Sequence, residues 1–160
     1  MSRSFAVLLS GAALLFATSS AFAAEQVLEF KLVTKPIDYK VTEVSNVPGQ
    51  IIGSGKMFGV ALFKDGRIAV KDFVAAGDLL KGSGPIHGFS TYTFQDGSSI
   101  TARYTGAVKD GMANGEYTIL SGTGTYANVT GTGSFTSVPA QLGDGARLYD
   151  GKFVVKTPGS

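Results

Sequence analysis

The strongest constraint on the fold is the recurrence of turn dipeptides between short segments rich in β-branched and aromatic residues. Asp-Gly occurs at positions 65–66, 96–97, 110–111, 144–145 and 150–151, and Asn-Gly occurs at 114–115. Both dipeptides suit type I′ turns, because Gly, Asn and Asp tolerate a positive φ angle. This pattern is typical of β-hairpins and indicates an all-β protein.

The segments between these turns predict about eight or nine short strands. They are Val27–Thr34, Tyr39–Val44, Lys56–Lys64, Arg67–Val74, Gly88–Phe94, Ile100–Ala107, Glu116–Leu120, Tyr126–Phe135 and Arg147–Val155. Val74–Lys81 is the one helix candidate, and Gly77 weakens it. Such a set of strands predicts a β-sandwich or a small closed antiparallel barrel.

The Asp96-Gly97 hairpin can be given a register if these two residues form the whole turn. Thr93 then faces Ile100, and Phe89 faces Tyr104. Alternation places His87 and Tyr104 on one face, and it places Tyr92 and Arg103 on the other face. Both faces then carry large apolar side chains, as they do in the Asp65-Gly66 hairpin. A barrel covers one of these faces by closing on itself, so the outer face predicts a ligand or self-association.

Composition excludes several kinds of site. The 160-residue chain has no cysteine and one histidine, so disulfides, thiol nucleophiles and histidine-rich metal centres are excluded. Apolar residues make up 44% of the chain, which is enough for a packed core. The formal net charge is +2 and no basic run occurs, so neither nucleic acid nor an anionic membrane surface is expected as a partner. No metal site and no cofactor is predicted.

The N-terminal residues have the three parts of a secretory signal peptide. Arg3 precedes an apolar stretch at 5–16, and Ala21-Phe22-Ala23 fits a cleavage site. The apolar stretch is too short for a transmembrane helix, which needs about 20 residues, and no later stretch could span as a helix. We therefore predict a cleaved signal at 1–23, a single β-barrel domain at 24–160, and a periplasmic or secreted location.

Two copies of a Gly-Thr-Gly motif followed by Thr or Ser and an aromatic residue lie at Gly122–Tyr126 and Gly131–Phe135. A phosphate-binding loop is disfavoured because no lysine follows the glycines and no helix is predicted after them. A calcium-binding repeat is disfavoured because aspartate is absent and the copies are few. The third interpretation is structural: the glycines allow a strand to bend and two backbones to approach closely.

This segment, together with the preceding hairpin Tyr92–Ser98 (Tyr-Thr-Phe-Gln-Asp-Gly-Ser), resembles the allene oxide cyclase/dirigent superfamily. The similarity covers about residues 88–135. It implies an eight-stranded antiparallel barrel with an apolar cavity, often in a homo-oligomer. It also implies a function that fixes the conformation of a reactive small molecule, either by cyclising an epoxide or by steering phenol coupling. No motif for the catalytic residues of either branch is present.

The candidate ligand-binding residues are Arg103, His87, Tyr92, Tyr104 and Glu116. His87 is the one side chain with an ordinary pKa near neutrality, although a position in a loop or at the barrel rim is the simpler interpretation. Arg103 would anchor a carboxylate or phenolate if it pointed inward, and would otherwise form surface ion pairs. Glu116 is an acid–base candidate only if it is buried beside Arg103. The tyrosines suit a ligand cage, a core or an interface.

Three functions remain open at this point. The first is the binding of a small apolar or aromatic molecule in the lumen, with or without turnover as an isomerase or cyclase. The second is a non-catalytic structural or interaction module in the periplasm. The third is an outer-membrane barrel, which is disfavoured because its strands would be about 10 residues long with a lipid-facing apolar band.

Overall fold

The computed structural model describes residues 24–158, so the predicted signal peptide at 1–23 lies outside the described residues. The chain forms eight antiparallel strands: β1 (Ala24–Glu43), β2 (Gln50–Phe63), β3 (Ile68–Leu80), β4 (Gly84–Phe94), β5 (Ser99–Lys109), β6 (Met112–Thr123), β7 (Thr130–Val138) and β8 (Arg147–Thr157). A short 3₁₀ turn, Gly124–Tyr126, joins β6 to β7. No helix in this part of the chain is long and apolar enough to cross a membrane.

The sheet closes into a barrel in sequence order. Each strand pairs with its neighbours along the chain, and β1 pairs with β8 from Ala24 opposite Thr157 to Thr34 opposite Arg147. Closure leaves no free sheet edge, which removes the hydrogen-bonding groups that an open sheet would expose. The predicted fold class, a closed antiparallel β-barrel of about eight strands, is confirmed.

Two details of the strand prediction are wrong. The segments predicted separately at 27–34 and 39–44 form the single strand β1, because the chain continues through an irregularity between Pro36 and Asp38. The helix candidate Val74–Lys81 lies largely within β3, where pairing with β2 and β4 outweighs a weak local preference.

The turn dipeptides play three different roles. Asp110-Gly111 forms a two-residue turn in which both residues have positive φ, as predicted. Asn114-Gly115 and Asp150-Gly151 lie inside β6 and β8 instead. Asp96-Gly97 forms the last two positions of a three-residue loop, because the Phe94 amide bonds to the Ser98 carbonyl and Gly97 has φ 81°.

The three-residue loop shifts the predicted register of this hairpin by one residue. Tyr92 lies opposite Ile100, and Phe89 lies opposite Arg103. The loop at Asp65-Gly66 is built in the same way, with the Phe63 amide bonded to the Arg67 carbonyl. The shift brings the larger apolar side chains of both strands to the lumen. The buried inward-facing side chains of β4 and β5 are Ser90, Tyr92, Phe94, Ile100, Ala102 and Tyr104.

The two ends of the barrel are filled differently. At the end formed by the β2–β3, β4–β5 and β6–β7 connections, here called the filled end, the rings of Phe30, Phe63, Phe94 and Tyr126 form a chain with neighbouring centroids 5.0–5.1 Å apart. The opposite end, formed by the β1–β2, β3–β4, β5–β6 and β7–β8 connections, is here called the hollow end. It contains a cavity.

Candidate functional site

The cavity at the hollow end has a volume of about 300 Å³. Its wall is mainly aliphatic, with Ile51 from β2, Leu79 from β3, Ile86 from β4 and Val108 from β5 among its lining residues. A Cβ atom at Gly53 would lie 2.6 Å from the Tyr39 hydroxyl oxygen, so the absence of a side chain at Gly53 makes room for that tyrosine in the wall. A volume of this size matches the smaller ligand pockets of proteins.

A lysine lies at the inner limit of this cavity. Lys71 faces inward from β3 between Ala69 and Phe73, and only 3% of its surface is exposed. Its Nζ atom lies 4.2 Å from the centroid of the Phe73 ring and 5.2–5.3 Å from those of Tyr92, Tyr104 and Tyr117. Burial lowers the pKa of the Lys71 amine from 10.5 to about 7, because the surroundings disfavour its charged form.

The amine is held by a short chain of buried hydroxyl groups. Lys71 Nζ donates to the Tyr117 hydroxyl oxygen at 3.2 Å, and the Tyr117 and Tyr92 hydroxyl oxygens are 2.9 Å apart. Tyr104 donates to the Val74 carbonyl oxygen at 3.3 Å. Burial raises the pKa of all three tyrosines, so each keeps its proton at neutral pH and can donate a hydrogen bond.

Further polar groups line the cavity closer to its rim. Tyr39 and Tyr149 are half-buried, and burial raises the pKa of both phenols. Thr34 is buried, and its Oγ1 atom has no hydrogen-bond partner among the described residues. Arg147 donates to the Gly111 carbonyl oxygen at 3.3 Å. An unpaired buried hydroxyl is costly, so a ligand or water that bonded to Thr34 would be favoured.

The arrangement combines an apolar wall with a few convergent donors, which is the usual design of a small-molecule site. The Lys71 ammonium or amine and the Tyr117 hydroxyl both project toward one region of the lumen. Such donors stabilise negative charge that develops on a carbonyl, epoxide or phenol oxygen, and they act strongly where water is excluded. Within residues 24–158, no three His, Asp or Glu side chains are grouped as metal ligands would be.

The structure separates the five residues that the sequence suggested as ligand contacts. Tyr92 and Tyr104 are buried in the lumen, and Tyr104 lines the cavity. Arg103, His87 and Glu116 are exposed on the outer face of the barrel, outside the cavity. The physical reason is that successive residues of a strand point to opposite faces of the sheet. Because Tyr92 and Tyr104 point inward, the alternate positions His87, Arg103 and Glu116 on β4, β5 and β6 point outward. The conditional roles for an inward Arg103 or a buried Glu116 therefore have no geometric basis.

Lys71 is the residue that the sequence interpretation missed. Val70 and Val74 alternate with Ala69, Lys71 and Phe73, so β3 carries apolar residues on both faces and its pattern does not reveal which face is inside. A three-residue loop at 64–66 would have supplied the missing information. It places Phe63 opposite Arg67, and alternation along β3 then places Lys71 on the inner face.

The fold is similar to those of two solved structures. The structure of the pterocarpan synthase dirigent protein GePTS1 superposes with a TM-score of 0.62 at 11% identity, over 93% of this chain and 98% of that chain. The structure of the pterocarpan synthase dirigent protein PsPTS1 superposes with a TM-score of 0.59 at 13% identity, over 86% of this chain and 97% of that chain. No protein-family model matches the chain, and no curated protein matches it in sequence.

These likenesses confirm the predicted resemblance at the level of the fold, which is a dirigent-like barrel. At such low identity, residue roles do not transfer between the proteins. Function has to be argued from the cavity of this chain and from the side chains that line it.

Proposed function

We propose that the barrel binds a small aromatic or apolar molecule in the cavity at its hollow end, and that the protein does so after export to the periplasm or the cell exterior. The observation that carries this proposal is the position of the Lys71–Tyr117 pair at the inner limit of an apolar-walled cavity of about 300 Å³. Larger side chains could have filled this space, as the aromatic rings do at the filled end, and the cavity instead remains open.

The fold likeness supports the same ligand class. The two similar structures are named pterocarpan synthases, so a barrel of this shape is used by proteins whose names denote the synthesis of a small molecule. In this chain, turnover would rest on confinement: the wall fixes the ligand conformation, and the buried donors stabilise charge on a ligand oxygen. An isomerase or cyclase activity is the catalytic form of the proposal.

Binding can be tested by isothermal titration calorimetry, in which 2-naphthol is titrated into the mature protein as an aromatic probe. Ala75 lines the cavity from β3, so Ala75→Phe should fill it and weaken binding by roughly tenfold or more. Ala107→Phe is the matched control, because Ala107 is exposed on the outer face of β5. Mass spectrometry of small molecules extracted from the native protein would identify a natural ligand.

The proposal fails if 2-naphthol and a panel of similar aromatic and aliphatic compounds do not bind the wild-type protein. It also fails if Ala75→Phe and Ala107→Phe change binding equally, because the ligand would then lie elsewhere. Folding of each variant is checked by circular dichroism before the titration.

A second candidate function is self-association through the outer face. Val74 and Phe89 lie opposite each other on β3 and β4, and they are 50% and 54% exposed. They border a shallow depression together with Ile37, which is 65% exposed. A group of exposed apolar side chains of this kind, bordered here by Lys56 and Asp72, is typical of an interaction surface, and the partner would be a second copy of this chain.

Sedimentation-velocity ultracentrifugation tests this candidate. A homo-oligomer that Phe89→Ser shifts toward monomer would support it, whereas Thr93→Ser on the same strand face serves as the control substitution. A wild-type protein that stays monomeric at high concentration would exclude self-association and leave the binding proposal unaffected.

A further inference from the structure

Lys71 has no structural partner of opposite charge. Among residues 24–158, the ion pairs involve Lys31, Lys35, Lys64, Arg67 and Lys156, and none involves Lys71. Its hydrogen bond is to the Tyr117 hydroxyl, and its other close neighbours are aromatic rings. Burial of an amine without a counter-ion is costly. A methionine would occupy a similar volume at no such cost, so stability does not explain an amine at this position.

The amine is also accessible from the cavity. Lys71 lines the cavity together with Phe73, Tyr104 and Tyr117, and its Nζ atom lies 3.2 Å from the Tyr117 hydroxyl oxygen, so a ligand held there lies beside this side chain. An amine with a pKa near 7 is largely neutral at slightly alkaline pH, and its nitrogen lone pair is then free to react. Desolvation in an apolar pocket is a known way in which proteins activate lysine as a nucleophile.

We infer that Lys71 captures an aldehyde or ketone ligand in the cavity as an imine. The nitrogen lone pair attacks the carbonyl carbon, a C–N bond forms as the C=O π bond breaks, and one nitrogen proton passes to the oxygen to give a carbinolamine. The remaining nitrogen proton then passes to the hydroxyl group, the C–O bond breaks, water leaves, and a C=N bond forms. No oxidant or reductant is consumed. This inference rests on the proposed function and names the substrate class as small apolar or aromatic carbonyl compounds.

Tyr117 is placed to move the protons. Its hydroxyl oxygen lies 3.2 Å from Lys71 Nζ, so it can accept a proton from nitrogen while it donates its own to the carbonyl oxygen. The Tyr92 hydroxyl, 2.9 Å away, holds Tyr117 in position within the buried chain. Lys71 and Tyr117 are both buried, which limits the access of the water that would return the imine to amine and carbonyl.

The groups that share the lumen with Lys71 do not compete with this chemistry. The titratable groups that face the amine from β4, β5 and β6 are Tyr92, Tyr104 and Tyr117. Farther out, the titratable or charged groups on β1 and β8 are Tyr39, Tyr149 and Arg147. The tyrosines are neutral near pH 7 because burial raises their pKa values. No described carboxylate lines the cavity to protonate the amine or hold it charged.

Reductive trapping provides the test. The mature protein is incubated with 2-naphthaldehyde and sodium cyanoborohydride at pH 7, and intact-mass and peptide-mapping spectra are recorded. The wild-type protein should gain one adduct, equal in mass to the aldehyde less its oxygen atom, at Lys71. An excess of 2-methylnaphthalene, which fits the cavity but has no carbonyl group, should suppress the adduct.

Three variants make the result interpretable. Lys71→Met should lose the dominant adduct, whereas Lys152→Met on the exposed face of β8 should keep it. Tyr117→Phe should slow adduct formation by roughly tenfold without a matching loss of affinity for 2-methylnaphthalene, which has no oxygen atom for the Tyr117 hydroxyl to bond, because the substitution removes a proton carrier and leaves the apolar wall in place. In the wild-type protein, the ratio of Lys71 to Lys152 labelling should rise as the pH falls from 9 to 6.

An adduct spread over exposed lysines, equal in wild type and Lys71→Met, would overturn the inference. If 2-naphthol still binds in that case, the proposed function stands and only the covalent step is lost. If neither compound binds the cavity, both fail together. If Lys71→Met does not fold, the inference is decided by the rate of adduct formation in Tyr117→Phe and by the location of the adduct in the wild-type protein.

Discussion

The two ends of the barrel are built from the same strands but serve different purposes. At the filled end, Phe30, Phe63 and Phe94 pack ring against ring, and Arg67 covers them with its guanidinium carbon 5.3 Å from the Phe94 ring centroid. At the hollow end, the strands continue around a cavity of about 300 Å³. The filled end supplies packing energy, whereas the hollow end leaves a cavity unfilled.

Arg67 and Lys71 show the same contrast. Arg67 forms an ion pair with Asp65 and donates to the Tyr126 hydroxyl, so its charge is compensated at the barrel mouth. The hydrogen bonds between Arg67 and Asp65 raise the pKa of the Arg67 guanidinium and lower the pKa of the Asp65 carboxyl group. Lys71 lies two inward positions after Arg67, on β3, and its close neighbours are a hydroxyl group and aromatic rings. Arg67 is therefore a paired cation, whereas Lys71 is buried beside the cavity without an ion pair among the described residues.

The largest expected effect tests the packing difference. The Phe30 ring lies 5.0 Å from those of Phe63 and Phe153, so Phe30→Ala should lower the free energy of unfolding by about 3–5 kcal/mol. Leu79→Ala at the hollow end should cost about 1 kcal/mol, since Leu79 already borders empty space and is half-buried. Urea denaturation measures both values. Equal losses would show that the two ends are packed alike.

The pH dependence of stability tests the state of Lys71. Its pKa is about 7 in the folded protein and near 10.5 in the unfolded chain, so the unfolded chain binds more protons between these values. Stability should therefore rise with pH, by roughly 1 kcal/mol per unit from pH 7 to pH 9. Above about pH 10 it should fall, because the pKa values of Tyr92, Tyr104 and Tyr117 are raised by folding.

Lys71→Met should remove the rise between pH 7 and pH 9, and Lys152→Met should leave it unchanged. Both curves come from urea denaturation at a series of pH values at constant ionic strength. A rise that persists in Lys71→Met would assign the proton release to another group and weaken the case for a neutral amine.

The smallest effect concerns the paired cation. Arg67→Met should lower stability by about 1 kcal/mol at neutral pH, because it removes cation–π contacts with Phe94 and Tyr126 and the bonds to Asp65. Lys71→Met should be neutral or stabilising under the same conditions. The two substitutions should therefore differ in the sign of their effect on stability. Thermal unfolding, monitored by circular dichroism, measures this difference. Two losses of equal size would mean that both cations serve packing.

Local turn chemistry was sufficient to predict an all-β fold of hairpins, and the resemblance at residues 88–135 then favoured a closed barrel over a sandwich. Asp110-Gly111 and the apolar alternation of the strands predict hairpins without knowledge of distant contacts. Register was not accessible in the same way. Asp96-Gly97 suits both a two-residue and a three-residue loop, and the choice between them depends on burying Tyr92 and Phe94 in a lumen that forms only when β1 meets β8.

The candidate site followed from the register. An error of one residue exchanges the faces of a strand, and this is why Arg103 was weighed as an inward anchor although Tyr104 is the residue that points inward. Lys71 could not be singled out from composition, since most lysines are exposed. Its chemistry depends on Tyr117 of β6, which lies 46 positions away in sequence.

Crystals of the mature protein soaked with 6-bromo-2-naphthol would test the central claim most directly. Anomalous scattering locates the bromine without reference to the fitted side chains. The account predicts a single strong peak inside the hollow end, between the aliphatic wall and the Lys71–Tyr117 pair. A peak confined to the outer face around Val74 and Phe89, with the cavity closed by rearranged side chains, would contradict it.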